Sequence, residues 1–172
     1  RPFFDAYLCS LHLDDETFNH LASFGLIGFI NCIDESLHPE AGDILAGMEA
    51  LATAQKKRLE RWPFQIKTAA GVHPGNIPRW GWPDLDRCLD DACVNHWADV
   101  LGPMGIAKGH ELEFDLLERQ LRRAARFQMP ALLHVPSQTS PDLLKRMLNI
   151  AEGIGLPPHQ MLFQNTAPDA IE

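Results

Sequence analysis

Residues Val100–Pro136, VLGPMGIAKGHELEFDLLERQLRRAARFQMPALLHVP, decide the fold. An apolar run, Val100 to Ile106, leads through a polar loop into a long segment. There Leu112, Leu116, Leu117, Leu121, Ala124 and Ala125 recur at helical spacing, while Glu113, Glu118, Arg119, Arg122, Arg123 and Arg126 fill the other face. A second short apolar run, Ala131 to Val135, carries His134 near its end. This order predicts strand, crossover helix and parallel strand, with a ligand or catalyst where the second strand stops.

The pattern repeats outward. Toward the amino end, Pro2 to Cys9 predicts a first strand, and LHLDDETFNHLASFG a helix capped by Asp14 or Asp15 and stopped at Gly25. Leu26 to Ile33 is a second strand, too continuously apolar to have a wet face, as a parallel sheet covered by helices requires. Pro39 to Arg61 reads as the next helix, closed by Trp62-Pro63, with Lys56, Lys57, Arg58, Glu60 and Arg61 as a solvated face. Gln65 to Val72 is a third strand delivering His73-Pro74-Gly75, after which NIPRWGWP caps a rim and a helix runs from Pro83 to Asn95. Toward the carboxyl end come a helix from Pro141 to Glu152, a strand from Met161 to Gln164, and PDAIE as a helical first turn with Pro168 at its start.

Six strands alternating with five helices leave a (βα) barrel or an open doubly wound sheet. No GxGxxG or GxxxxGK[ST] follows any strand, which removes the usual nucleotide-binding open sheets. The expected fold class is α/β, a TIM-type (β/α) barrel in a single domain over residues 1–172. About six of eight strand-helix units are expected in this chain, which predicts an incomplete barrel: truncated, partly ordered, or completed by another polypeptide. The chain opens on Arg1 rather than Met, predicting that some upstream sequence has been cut away or is not seen.

Composition narrows the partners. A net charge of −8 argues against a broad nucleic-acid-binding face, because phosphate binding draws on many Lys and Arg contacts. Cys9, Cys32, Cys88 and Cys93 lack zinc-ribbon spacing and sit in apolar segments, so they are expected to be reduced thiols in a cytoplasmic protein. No apolar run reaches the ~18 residues of a membrane span, so no membrane partner is expected.

Active sites of parallel barrels lie at the carboxyl ends of strands. Strand one offers Tyr7 and Cys9 there, strand two Asn31, Asp34 and Glu35, strand three His73, strand four Lys108 and His110, strand five His134, and strand six Gln164 and Asn165. Tyr7, His73, Lys108, His110, Gln164 and Asn165 are the substrate-pocket candidates. A single buried imidazole most simply bonds a neighbour, but two at strand ends invite more. Were Cys9 to join His73 and His134, a Cys-His-His set would suit zinc with an open fourth position.

These residues resemble the TatD-like metal-dependent hydrolases of the amidohydrolase superfamily. FDAYLC is similar to that family's first-strand D-x-H-x-H, GVHP (Gly71 to Pro74) to its own GVHP, and GPMG (Gly102 to Gly105) to its G-E-I-G. ERQLRRAARFQMPALLHVP, the most specific block, is similar to Q-L-x-L-A…P-V-x-x-H-T, and LFQN (Leu162 to Asn165) to I-D-H-N. The resemblance implies a (βα)8 barrel holding one to three divalent metals, with DNase or phosphodiesterase activity common in the family. Metal there activates water and clamps a phosphoryl or carbonyl oxygen.

This chain departs from the pattern where metal is held. Tyr7 and Cys9 replace the first-strand histidines, Pro103 the bridging glutamate and Gln164 the sixth-strand histidine, while the eighth-strand aspartate lies beyond the sequence. His134 remains as a ligand, with His73 as a site residue. A second register, setting SLHLDD (Ser10 to Asp15) against H-x-H-L-D-D, makes His12 a ligand but loses the Asp5 match. The expectation is therefore an eroded metal site, non-catalytic or altered, in a binding or complex subunit. The alternative is an active metal-dependent hydrolase using Cys9, His12, His73 and His134. The expected cofactor is none or a single divalent metal, Zn or Mn. A partner chain or self-association is expected to complete the barrel.

Overall fold

The structure, a computed structural model, describes residues 1–33, 41–78, 81–136 and 139–164. Asp34, Glu35, Asn165 and the PDAIE segment fall outside the described residues. The chain divides into two compact units, Arg1–Ala70 with Trp80–Asp99, and Gly71–Arg79 with Val100–Glu172.

In the first unit, β1 (Phe3–Leu8), β2 (Leu26–Asn31) and β3 (Gln65–Ala70) pair in parallel, with Asp5 opposite Phe29 and Phe29 opposite Ile66. The first helix, α1 (Asp15–Ser23), starts where Asp14 accepts the Thr17 N–H at 2.8 Å, the cap its sequence predicts. Phe18, Leu26, Phe29 and Leu59 are buried together against Trp62 and Phe64, and the Phe18 and Trp62 rings lie 5.2 Å apart. Burying each such side chain is worth about 1.5–3 kcal/mol.

The segment read as one helix from Pro39 to Arg61 is helical through its described residues from Ala41 to Leu59, but it is not uniformly α. It comprises α2 (Ala41–Ala50), a π-helical turn (Leu51–Gln55) and α3 (Lys56–Leu59). Thr53 bonds back through Oγ1 to the Glu49 carbonyl at 2.7 Å, a local competitor of the regular ladder. Nor is the basic run at its end simply a solvated face. Arg58 donates to the Leu13 carbonyl at 2.6 Å and pairs with Asp15 at 2.9 Å, pinning the 3-10 turn Ser10–His12 to the helix. The last helix of this unit, α4 (Trp82–Val94), buries Cys88 and Cys93 as small hydrophobes.

In the second unit, β4 (Val100–Gly105), β5 (Ala131–His134) and β6 (Met161–Gln164) also pair in parallel. Between them run α5 (Glu111–Phe127) and α6 (Pro141–Ile154). Gly105 stands opposite His134, and His134 opposite Gln164. At Gly105 φ is +151°, and an added Cβ would lie 2.2 Å from the His134 carbonyl oxygen, so only glycine allows β4 and β5 to meet there. Pro103 is buried within β4 and follows a cis peptide.

Helix α5 corrects its own sequence pattern. Leu116, Leu117, Leu121 and Ala124 are buried as expected, but Leu112, in the first turn, is 58% exposed. Glu113, read as part of the wet face, is buried, and so is Gln120. A helix face admits polar side chains when their hydrogen bonds are met inside, and both of these are. In β2, Ile27 is exposed despite the continuous apolar run.

Candidate functional site

The side chains with chemistry in the second unit gather where its strands end. His73 lies just beyond Val72 and opens a 3-10 turn (Pro74–Asn76); its Nδ1 accepts the Gly75 N–H at 3.1 Å. A backbone N–H can only donate, so Nδ1 must present a lone pair, which places any ring proton of the neutral form on Nε2. His134 closes β5. The two imidazoles meet edge to face, with ring centroids 4.2 Å apart.

Both rings are held neutral. Burial pushes His73 down to about 4, the neighbouring His134 adds to that, and the Glu113 carboxylate opposes it. Burial likewise lowers His134, against a smaller opposing effect from a hydrogen-bonding contact with the Gln164 carboxamide. The β5–β6 register explains that neighbour, since paired positions on parallel strands face the same side. Among the described residues, neither His134 Nδ1 nor Gln164 Oε1, both buried, completes a hydrogen bond of sound geometry.

Two buried polar groups of α5, which the sequence reading did not single out as site residues, support this rim. Glu113 accepts the N–H groups of Ala107 at 2.8 Å, Lys108 at 3.0 Å and Gly109 at 2.9 Å, fixing the loop that follows β4. Gln120 accepts the Val72 N–H at 2.7 Å and donates to the Val72 carbonyl at 3.1 Å. Their signal was a polar residue at a core position of the 3.6 period. Lys108 and His110, by contrast, are exposed on that loop, and His110 occupies the N-cap position of α5 without a side-chain cap bond.

The remaining candidates belong to the first unit. Tyr7 and Cys9 are half-buried in and just after β1, while His12 is exposed in the 3-10 turn that follows. β1 is FFDAYL, so Asp5 lies within the strand and His12 beyond its end. Asn31, at the end of β2, accepts the Ser10 N–H through Oδ1 at 3.1 Å. Asn165 lies outside the described residues.

A metal implied by the resemblance fits these groups poorly. Among the described residues no three His, Cys, Asp or Glu side chains gather closely enough to hold an ion. Two imidazoles sharing a tetrahedral zinc through bonds of about 2.0–2.1 Å would stand roughly 5 Å apart by centroid. At 4.2 Å the two rings touch each other instead. The orphaned pair at His134 and Gln164 supplies two neutral donors, where zinc sites draw three or four ligands, and Pro103 has no donor atom in its side chain.

Parallel strands alternating with helices, with polar groups at the strand ends, define a TIM-type α/β architecture. The comparisons then specify it. The chain is 25% identical over 165 residues to an uncharacterized metal-dependent hydrolase of Methanocaldococcus jannaschii, and spans 94% of itself but 65% of that relative's length. It superposes on the crystal structure of a TatD-like protein from Archaeoglobus fulgidus with a TM-score of 0.78 at 21% identity, covering 94% of this chain and 67% of that one. An uncharacterized amidohydrolase from Saccharomyces cerevisiae matches with a TM-score of 0.61 at 13% identity, covering 86% of this chain and 51% of the other. No family profile matches. The sequence match supports the metal-dependent hydrolase resemblance read from the motifs, and the superposition supports its TatD-like fold. The fold is that of a TatD-like TIM-type barrel, present in this chain as an incomplete barrel. Among the described residues, no helix is long and apolar enough to cross a membrane.

Proposed function

We propose that this chain is a TatD-like barrel whose metal centre has given way to a neutral imidazole–carboxamide site that binds a small hydrogen-bonding molecule, and that it does not act as a metal hydrolase. The observation that carries this reading is the buried pair His134 Nδ1 and Gln164 Oε1, on aligned positions of β5 and β6, which lean on each other without a hydrogen bond of sound geometry. A buried polar atom short of a full hydrogen bond costs up to about 1–3 kcal/mol, part of which a ligand amide or hydroxyl bridging the two would recover. The substitutions at Tyr7, Cys9, Pro103 and Gln164 support the loss of metal chemistry, since even weakening the partners of metal ligands costs ~10–100-fold in affinity.

The second reading is a working metal-dependent hydrolase, which we would take as a phosphodiesterase type with a single Zn or Mn; its broader part draws support from the metal-dependent hydrolase of Methanocaldococcus jannaschii to which the chain is similar. Metal analysis of protein purified without chelator separates the two. The first reading predicts no stoichiometric metal and no phosphodiesterase turnover in added Mn. Stoichiometric Zn or Mn that is lost in His134→Ala overturns it. The subunit role extends to the sheet edges. Among the described strands β1 pairs only with β2 and β6 only with β5, and we assign a partner strand to these edges.

A further inference from the structure

We infer that Gln120 is the positioning residue of the imidazole site, holding the peptide that precedes His73 so that the His73 ring rests against His134. Val72 lies beyond the end of β3, where strand pairing no longer serves its backbone, and it is fully buried. The Gln120 carboxamide meets both of its groups, accepting from N–H at 2.7 Å and donating to the carbonyl at 3.1 Å. Two opposed bonds from one planar amide fix the Val72 backbone in both position and rotation, as a ladder rung would. His73 is the next residue, and the bond from Gly75 then sets its ring.

The same helix face carries a second clamp. Glu113 stands seven residues, two turns, before Gln120 and holds the loop after β4 by three N–H groups. One buried stripe of α5 thus orders two loops at the rim: the loop that bears His73 and the loop that bears Lys108. The functional meaning of this clamp rests on the reading of His73 and His134 as a binding site, but its test does not.

The test reads the contact between the rings. In nuclear Overhauser spectra the ring protons of His73 and His134 should give cross-peaks in the unaltered protein. Gln120→Met, nearly the same length but unable to bond Val72, should weaken them severalfold, and Gln120→Glu, which keeps the acceptor for the Val72 N–H, should restore much of the loss. Leu89→Ala in α4, a cavity variant of the other unit, should leave them unchanged, so general destabilisation is told apart from positioning. A folded Gln120→Met with intact cross-peaks overturns the inference. If that variant does not fold, hydrogen exchange on the unaltered chain decides: a Val72 amide protected like its β3 neighbours supports the clamp, and one exchanging at open-loop rates overturns it. Because these readouts need neither metal nor ligand, they stand or fall apart from the proposed function.

Discussion

At the scale of the residue, the chemistry turns on neutral imidazoles. The unfolded chain protonates His73 near its ordinary 6.5, while the folded chain resists until about 4, so the unfolded state binds more protons between these values. Stability is therefore full above pH 6.5 and falls as the pH drops toward 4. Chemical denaturation across this window should show that slope, and His73→Gln should flatten it. Glu113 offers a second prediction. Its carboxylate accepts three backbone donors, and Glu113→Gln turns an amide donor toward them. Loss of about 2–3 kcal/mol is expected in the urea midpoint, with little change in the slope of the transition. His73 was singled out in sequence but Glu113 was not: it falls in the core period of α5, yet its charge reads as one more on the exposed face until the loop after β4 is seen to fold back over it.

At the scale of the element, each strand places its terminal side chain by register, and register depends on close backbone approach. Gly105 is the clearest case. Gly105→Ala should lose about 1–3 kcal/mol for its backbone conformation alone, and the clash with the His134 carbonyl should push β5 away from β4. Thermal melting measures the first effect and the environment of the His134 ring the second. The strands themselves were plain in the sequence, with Met161–Gln164 at the predicted bounds and the others ending one or two residues early. The π-helical turn between α2 and α3 was not, since Thr53 and its neighbours fit a helical pattern as well as their flanks do. Likewise Arg58 reads as a surface charge until the turn at Ser10–His12 is folded beneath it.

At the scale of the whole molecule, apolar exposure and open edges point outward. Phe3 and Phe4 on β1 are 41% and 46% exposed, on a strand paired along one side only among the described residues. An exposed apolar edge strand invites pairing, so sedimentation should detect association in the micromolar range, and a stable dilute monomer would count against a partner on that edge. The sequence by itself determined the order of strands and helices, the TIM-type class and the TatD-like resemblance, because apolar period, caps and short motifs are local properties of the chain. Only the tertiary structure decided that His73 and His134 touch, that Gln164 faces His134 without completing a bond, and that Gln120 and Glu113 are inside. Those facts depend on register and on residues far apart in sequence, 48 positions in the case of Gln120 and Val72, and no local pattern carries information across that distance.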